Sequence, residues 1–338
     1  TYQLERVIDK AARELGVDPM ALRRQNFITE FPYATPVAVE YDTGDYNATA
    51  DKIAEIGDFA GFEARRKESE AKGKLRGLGV NCYIEACGIA PSNLVGQLGA
   101  RAGLYDAATV RVNATGSISV MVGAHSHGQG HDITFSQIAA DRLGIPIEDI
   151  ALVEGDTAKI PYGNGTWGSR SLSVGGTAIY KACDLVVDKA RRLAAHVLEC
   201  SAADLNYSDA RFTVTGTDQA VDFTEIADIA YHGARIPQDG SEQPGLEATV
   251  FHEPTDTNDP QAMHLAVVIV DADSGEVTLE DYFTADDCGV IVNPMIVEGQ
   301  VHGGTAQGIG TALFEEMPYD GSGQPQAAYA MTVVFWAK

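Results

Sequence analysis

Three glycine-rich segments, each running into a helical stretch, restrict the fold of this 338-residue chain more than any other feature. In the first, the apolar strand of residues 118–124 leads into His125-Ser-His-Gly-Gln-Gly-His131, followed by an amphipathic helix over 132–143. Gly128 and Gly130 let the backbone approach a ligand closely, and the free N–H groups of the helix's first turn favour an anion or a carbonyl oxygen. Gln129 is the one side chain held between those glycines. The second segment, residues 163–176, supplies the hydroxyls of Thr166, Ser169 and Ser171, the backbone of Gly168, the ring of Trp167 and the guanidinium of Arg170, which is suited to a two-pronged grip on phosphate. The third, from Asp286 to Leu313, contains Asp287-Cys288-Gly289, Asn293-Pro294 and Gln300 and reads as a turn followed by a glycine-rich helix over 295–314. Any one such loop is most simply structural. Three together point to a large ligand with several polar or anionic groups. No G-x-x-x-x-G-K-[ST] is present and no G-x-G-x-x-G follows a strand, which excludes a P-loop nucleotide and a Rossmann dinucleotide.

Around these loops the pattern is α+β, with mixed sheets and helices. Residues 1–28 read as a helix and a second short one, started by Asp18-Pro19, and residues 29–47 as a connector. Residues 51–74 read as one charged helix whose dense run from Glu63 to Lys74 is a solvated face near a domain junction. Strands are expected over 77–85, 107–113, 117–124 and 211–215, helices over 132–143 and 177–198, and a long hairpin over 262–285 turning at Asp273-Ser274-Gly275. The apolar stretch 330–336 reads as a further strand. Two domains fit the length.

The charge balance narrows the partners. With 48 Asp and Glu against 24 Lys and Arg, the formal net charge is -24. Such a surface repels phosphate backbones and anionic headgroups, so nucleic acid and membrane surfaces are excluded as general partners. No apolar run approaches the length of a membrane span and no signal-peptide pattern is seen, which gives a cytoplasmic expectation. Cys82, Cys87, Cys183, Cys200 and Cys288 are odd in number and scattered, as for reduced thiols. The pair 82/87 lacks the C-x-x-C that an iron–sulfur loop needs. His125, His127 and His131 suggest a metal, but no carboxylate or cysteine completes a known spacing, and His131 is better read as a hydrogen-bond donor to a bound cofactor. Cys288 lies beside two carboxylates that raise its pKa, and Glu154 and Glu316 stand alone as capping or surface groups. The chain opens inside a helical pattern and ends in an apolar one, which reads as a fragment lacking sequence on both sides.

Gly128-Gln-Gly-His131, Gly165-Thr-Trp-Gly-Ser-Arg-Ser171, Asp287-Cys-Gly289, Asn293-Pro294 and Glu298-Gly-Gln-Val-His-Gly-Gly304 resemble the molybdenum-cofactor subunit of the xanthine dehydrogenase and aldehyde oxidase family, with the aerobic carbon monoxide dehydrogenase branch the nearest. The opening 4–26 and Tyr41-Asp-Thr-Gly-Asp-Tyr46 agree. The resemblance implies a molybdopterin cytosine dinucleotide held by Gly128, Gln129, Gly130, His131, Thr166, Trp167, Gly168, Ser169, Arg170, Ser171, Asp287, Cys288, Asn293 and Gln300, with no residue of the chain on the metal itself. Gln129 and Gln300 match the family's two cofactor-binding glutamines, and Trp167 replaces a more usual tyrosine. The resemblance divides the chain into the tail of a first cofactor domain (1–50), a charged linker helix (51–75) and a second cofactor domain (76–338). The catalytic residues, a general-base glutamate and a substrate-loop cysteine, match no position here, so the chain alone is expected not to turn over substrate.

The family implies oxidation of a small substrate with water as oxygen source. Carbon monoxide comes first, with copper in addition in that case, and aldehydes or N-heterocycles are the alternatives. It also implies an iron–sulfur small subunit and an FAD-binding medium subunit in a dimer of heterotrimers, with neither group in this chain, and a cytoplasmic enzyme that can sit peripherally on the inner membrane face through its partners. Two other classes remain: an inactive assembly remnant without cofactor, and a metal protein centred on the three histidines. A salt-adapted surface would explain the acidity. On that reading the melting temperature should rise between about 0.1 and about 1 M salt, where the screening length falls from about 10 to about 3 Å. A fall in thermal melting over that range contradicts it.

Overall fold

The structure is a computed structural model describing residues 1–36, 39–88, 91–97, 99–316 and 318–325. The expected strand at 330–336 lies outside these. In chain order the elements are α1 (Tyr2–Leu15), α2 (Pro19–Arg24), β1 (Tyr33–Ala34), β2 (Glu40–Tyr41), α3 (Tyr46–Ile56), α4 (Phe62–Glu70), β3 (Lys74–Ile84), α5 (Ser92–Gln97), β4 (Asp106–Val112), β5 (Ile118–Val122), α6 (His131–Leu143), β6 (Ile150–Val153), α7 (Thr177–Val197), β7 (Leu205–Ser208), β8 (Arg211–Val214), β9 (Ala220–Asp222), α8 (Phe223–Tyr231), β10 (Leu246–His252), β11 (Gln261–Asp271), β12 (Val277–Asp287) and α9 (Pro294–Leu313). The chain separates into two compact units, Thr1–Val290 and Ile291–Lys338.

Within the first unit the principal sheet has the order β10-β4-β5-β6, and only its β5–β6 pair is parallel. That pair is joined through α6, a crossover that antiparallel neighbours do not require. Helix α7 covers β4 and β10. It buries Ala178, Ile179, Ala182, Cys183, Val186, Ala190 and Leu193 on one face, the three-and-four spacing of an amphipathic helix. A π-helical turn over Ser171–Gly176 feeds into it. Strand β10 has a mainly alternating pattern that sequence reading passed over; it becomes a strand by pairing antiparallel with β4, Val250 opposite Ala108.

A second sheet, β12-β11-β3, carries the expected hairpin together with β3. Its core is Met20, Tyr46, Ala50, Ile53, Met263 and Leu265. Here the expectation of one continuous helix needs correction. Residues 51–74 do not form one helix: α3 ends at Ile56, Asp58 takes a left-handed conformation, and α4 starts at Phe62. Helix α3 packs on β11 and β12 with Ile53 fully buried, so it belongs to a core, whereas in α4 only Ser69 is buried. The charged face of α4 is tied by Arg66 to Glu63 and Glu70.

Helix α1 is followed, as expected, by a short helix that Asp18 caps and Pro19 begins. Tyr2, Leu4 and Val7 are exposed, while Glu5 is buried because the Arg23 guanidinium bonds it at 2.7 Å and Asp9 at 2.9 Å. In the second unit, α9 is capped by Asn293, whose Oδ1 accepts from the Ile296 N–H at 3.1 Å, and none of its residues is buried. Among the described residues no helix is long and apolar enough to cross a membrane.

Replacing Ile53 by alanine leaves a cavity between α3 and β11, and urea unfolding should register a loss of about 2–5 kcal/mol. A loss below about 1 kcal/mol would return α3 to the role of a linker.

Candidate functional site

The parallel pair β5–β6 brings two carboxyl-terminal strand ends together, the place where crossover units gather ligands. From β5 emerges the loop 123–130, and one residue beyond Val153, which is opposite Met121, stands Glu154. The loop delivers Gln129 between Gly128 and Gly130, both at positive φ, 94° and 82°. Helix α6 begins at His131 with Gly130 as its cap residue and no side-chain cap. Its first-turn N–H groups are therefore left for another acceptor.

The segment 163–176 is fastened to this loop by backbone. A Cβ on Gly123 would fall on the backbone of Tyr162 and Gly163, and one on Gly163 would fall on Gly123. The two chains touch where only glycine fits. The Gly165 N–H donates to Gly123 O at 3.2 Å, and the His125 N–H to Thr166 Oγ1 at 3.1 Å. Thr166 and Ser171 share a hydroxyl hydrogen bond of 2.9 Å. From the other side, the Gly88 N–H donates to Gly168 O at 3.3 Å and the Ser169 hydroxyl donates to Glu85. Glu85 follows β3, and Gln261 of β11 stands opposite both Ile84 and Asp287, so the end of β12 that carries Asp287 and Cys288 runs into the same region of the first unit. The Gly289 N–H donates to Asp287 Oδ1 at 3.1 Å. Cys288 has its pKa raised, by desolvation first and by Asp286 and Asp287 after, which suits an inert thiol. Asn293 and Gln300 lie in the second unit, on the cap and body of α9.

Two of the residues expected to contact a ligand are engaged within the chain. Arg170 is fully buried, and its guanidinium donates to Asp106 Oδ2 at 3.2 Å, Gly165 O at 3.3 Å and Leu104 O at 2.5 Å. It holds the 163–170 loop from within, its Cζ 5.6 Å from the Trp167 ring centre. His131 is 5% exposed, and both ring nitrogens are engaged, Nδ1 with Glu154 Oε1 at 2.7 Å and Nε2 with Gln129 Nε2 at 3.0 Å. It has no hydrogen-bonding atom left for a cofactor or a metal. The three-histidine centre thereby loses a member, and among the described residues no group of three or more His, Cys, Asp or Glu could hold a metal ion. Glu154, read from sequence as solitary, has His131 as its partner. Its position 23 residues away in sequence gave no local signal. Asp106 and Glu85 were missed for the same reason.

What the edge of this sheet offers a ligand is mostly neutral: glycine backbone at close range, uncapped N–H groups, an amide, hydroxyls, and the half-exposed Trp167 ring. Such a donor set fits an extended cofactor with carbonyl-bearing rings and phosphates, held without direct metal ligation by protein.

The Molybdopterin cofactor-binding domain family matches residues 52–335, and the chain belongs to that family. It is 39% identical over 95% of its length to the carbon monoxide dehydrogenase large chain of Hydrogenophaga pseudoflava, covering 40% of that protein. It is 37% identical over 96% of its length to the nicotine 6-hydroxylase large subunit of Paenarthrobacter nicotinovorans, again covering 40%. Among solved structures it resembles a Cu,Mo-containing CO dehydrogenase in its carbon monoxide reduced state, with a TM-score of 0.88 and 36% identity over 97% of this chain and 42% of that one. The chain thus spans about two fifths of the length of these relatives. They support the α+β fold and the place of this chain among molybdenum-binding large subunits of the xanthine dehydrogenase family.

The buried pair Asp106–Arg170 yields a pH prediction. Burial, against the pull of Arg170, pushes the Asp106 carboxyl up to about 6. A carboxyl raised on folding contributes stability that is fully present below its unfolded value of about 3.9 and is lost as pH rises through the folded one. Asp106→Asn removes that loss, so between about pH 4 and about pH 6 the variant should gain on the parent protein by an amount on the order of 3 kcal/mol in urea unfolding. Parallel pH profiles for the two proteins would show that Asp106 does not titrate in this way.

Proposed function

We propose that this chain is the molybdopterin cytosine dinucleotide-binding portion of a molybdenum hydroxylase. In this reading the enzyme oxidises a small substrate, carbon monoxide first, with water as oxygen source. It passes two electrons to an iron–sulfur small subunit and an FAD-binding medium subunit, in a cytoplasmic dimer of heterotrimers. The observation that carries the reading is the pair of glycine loops sewn together at the carboxyl ends of β5 and β6, with an uncapped helix start beside them. The N–H groups of 128–133, the amide of Gln129, Thr166, Gly168, Ser169 and the Trp167 face would hold the cofactor. The Asp287–Cys288 turn would add to these within the first unit, whereas for Asn293 and Gln300, in the second unit, the family resemblance alone supports a part in holding the cofactor.

When bound, the molybdenum cofactor supplies the redox and oxygen-transfer chemistry. The chain's own share is to bind and orient. A net charge of -24 disfavours an anionic ligand at long range, and Arg170 is committed to Asp106. Backbone N–H groups and hydroxyls at close range therefore carry the binding, as helix starts and glycine loops do for phosphates elsewhere.

The similarity to nicotine 6-hydroxylase favours a second substrate class, N-heterocycles, within the same chemistry; aldehydes are the third. Copper belongs to the carbon monoxide reading alone. Purified chain should release molybdenum, a pterin and cytidine monophosphate in equal amounts after acid treatment, read by metal analysis, fluorescence and chromatography. If none of the three is released, the chain is an inactive remnant of the family; zinc or copper retained without pterin favours a histidine metal site.

A further inference from the structure

The contact between Glu154, His131 and Gln129 fixes more than positions. Two atoms at its ends have no choice of role. A carboxylate only accepts, so His131 Nδ1, 2.7 Å from Glu154 Oε1, must carry a proton. A backbone N–H only donates, so the His127 N–H must meet the oxygen of the Gln129 amide, which turns its Nε2 toward His131. Since Gln129 Nε2 donates, His131 Nε2, 3.0 Å away, must accept. Both ends together admit one arrangement: a neutral imidazole protonated at Nδ1, with one Gln129 N–H spent on it.

The second N–H of Gln129 has no partner among the described residues. Phe135 stacks on the His131 ring with centroids 4.5 Å apart and planes at 29°, which removes the ring's freedom to turn. Glu154 and His131 side chains are 10% and 7% exposed, so water does not compete freely for either.

We propose that Glu154 and His131 are positioning residues that hold the Gln129 amide with its oxygen turned back on the loop and its remaining N–H presented as a donor to the bound cofactor. The idea rests on the cofactor reading above for the target of that N–H, but not for the relay itself. Were Glu154 unable to accept, His131 could carry its proton on Nε2. Two donors would then face each other at Gln129, and the amide would have to flip, giving up the His127 N–H.

The test has two arms. In the first, the 338-residue chain carrying 15N-labelled histidine is examined by NMR at about pH 8, where an unperturbed imidazole is neutral. His131 should show a protonated Nδ1 and an unprotonated Nε2. Glu154→Ala should shift this pattern toward Nε2 protonation, and Glu154→Gln, which keeps an acceptor, should restore it. A parent protein protonated at Nε2, or an unchanged pattern in Glu154→Ala, overturns the relay, and the first of these needs no variant to fold.

In the second arm the holoenzyme is reduced with dithionite and its molybdenum EPR spectrum is recorded. The spectrum of Glu154→Ala should shift toward that of Gln129→Ala at unchanged molybdenum content, with Glu154→Gln close to the parent. Outer partners of this kind typically change affinity or activity by about 10–100-fold. If the tautomer responds but the spectrum does not, the positioning claim fails while the relay stands. If the parent enzyme contains no molybdenum, it is the cofactor reading that fails, and the NMR arm still decides the relay.

Discussion

The site depends on one steric constraint: the backbones of Gly123 and Gly163 lie so close that neither position admits a Cβ. This contact sets the end of β5 against the start of the 163–170 loop. The other links follow from it, including the Gly165 N–H on Gly123 O and the His125 N–H on Thr166. A cradle built in this way is rigid because it is made of main chain, and it leaves the first N–H groups of α6 without a side-chain cap. Gly175 extends the constraint into the π-helical turn, where an added Cβ would press on Val122 and come into contact with Asp106.

Beneath this contact lies a charged pair whose value is not mainly energetic. Burial outweighs the attraction of Arg170 at the Asp106 carboxyl, so the pair does not add to stability in proportion to its proximity. Its contribution is registry. One guanidinium reaches Asp106 at the start of β4, the carbonyl of Leu104 and the carbonyl of Gly165, and a lysine could not span all three. Locking the loop's one arginine inward leaves its ligand face neutral. A strongly acidic protein that takes an anionic cofactor must then recognise it through short-range donors, which screening and net charge affect least.

The sequence made some of this legible for identifiable reasons. The three glycine segments, the hairpin 261–287 and helices α6, α7 and α9 were visible because glycine clusters and hydrophobic period are local signals. Strand β10 alternates only in the main, and it becomes a strand by pairing with β4, more than a hundred residues away. Arg170 and His131 are singled out in the sequence as ligand contacts, and in the structure each has partners within the chain. Sequence shows that a guanidinium or an imidazole is present; whether it faces ligand or core depends on Asp106 and Glu154, whose proximity is purely tertiary. Likewise the helical pattern of residues 1–28 does not show which face of α1 is covered, and here its buried residues are Glu5, held by Arg23, and Ala12.

The single parallel pair in an otherwise antiparallel sheet has a functional logic. Antiparallel neighbours would put the end of one strand beside the beginning of the next. The crossover through α6 instead places the ends of β5 and β6 side by side, so that a loop leaving one strand meets the residue leaving the other. That geometry allows Glu154 to reach the first residue of the helix that the same loop begins. It also makes the register exacting. Side chains alternate faces along a strand, so slipping β6 by one residue against Met121 and Val153 would turn Glu154 away from His131. The parallel register thus determines which hydrogen-bond roles His131, and through it Gln129, can adopt.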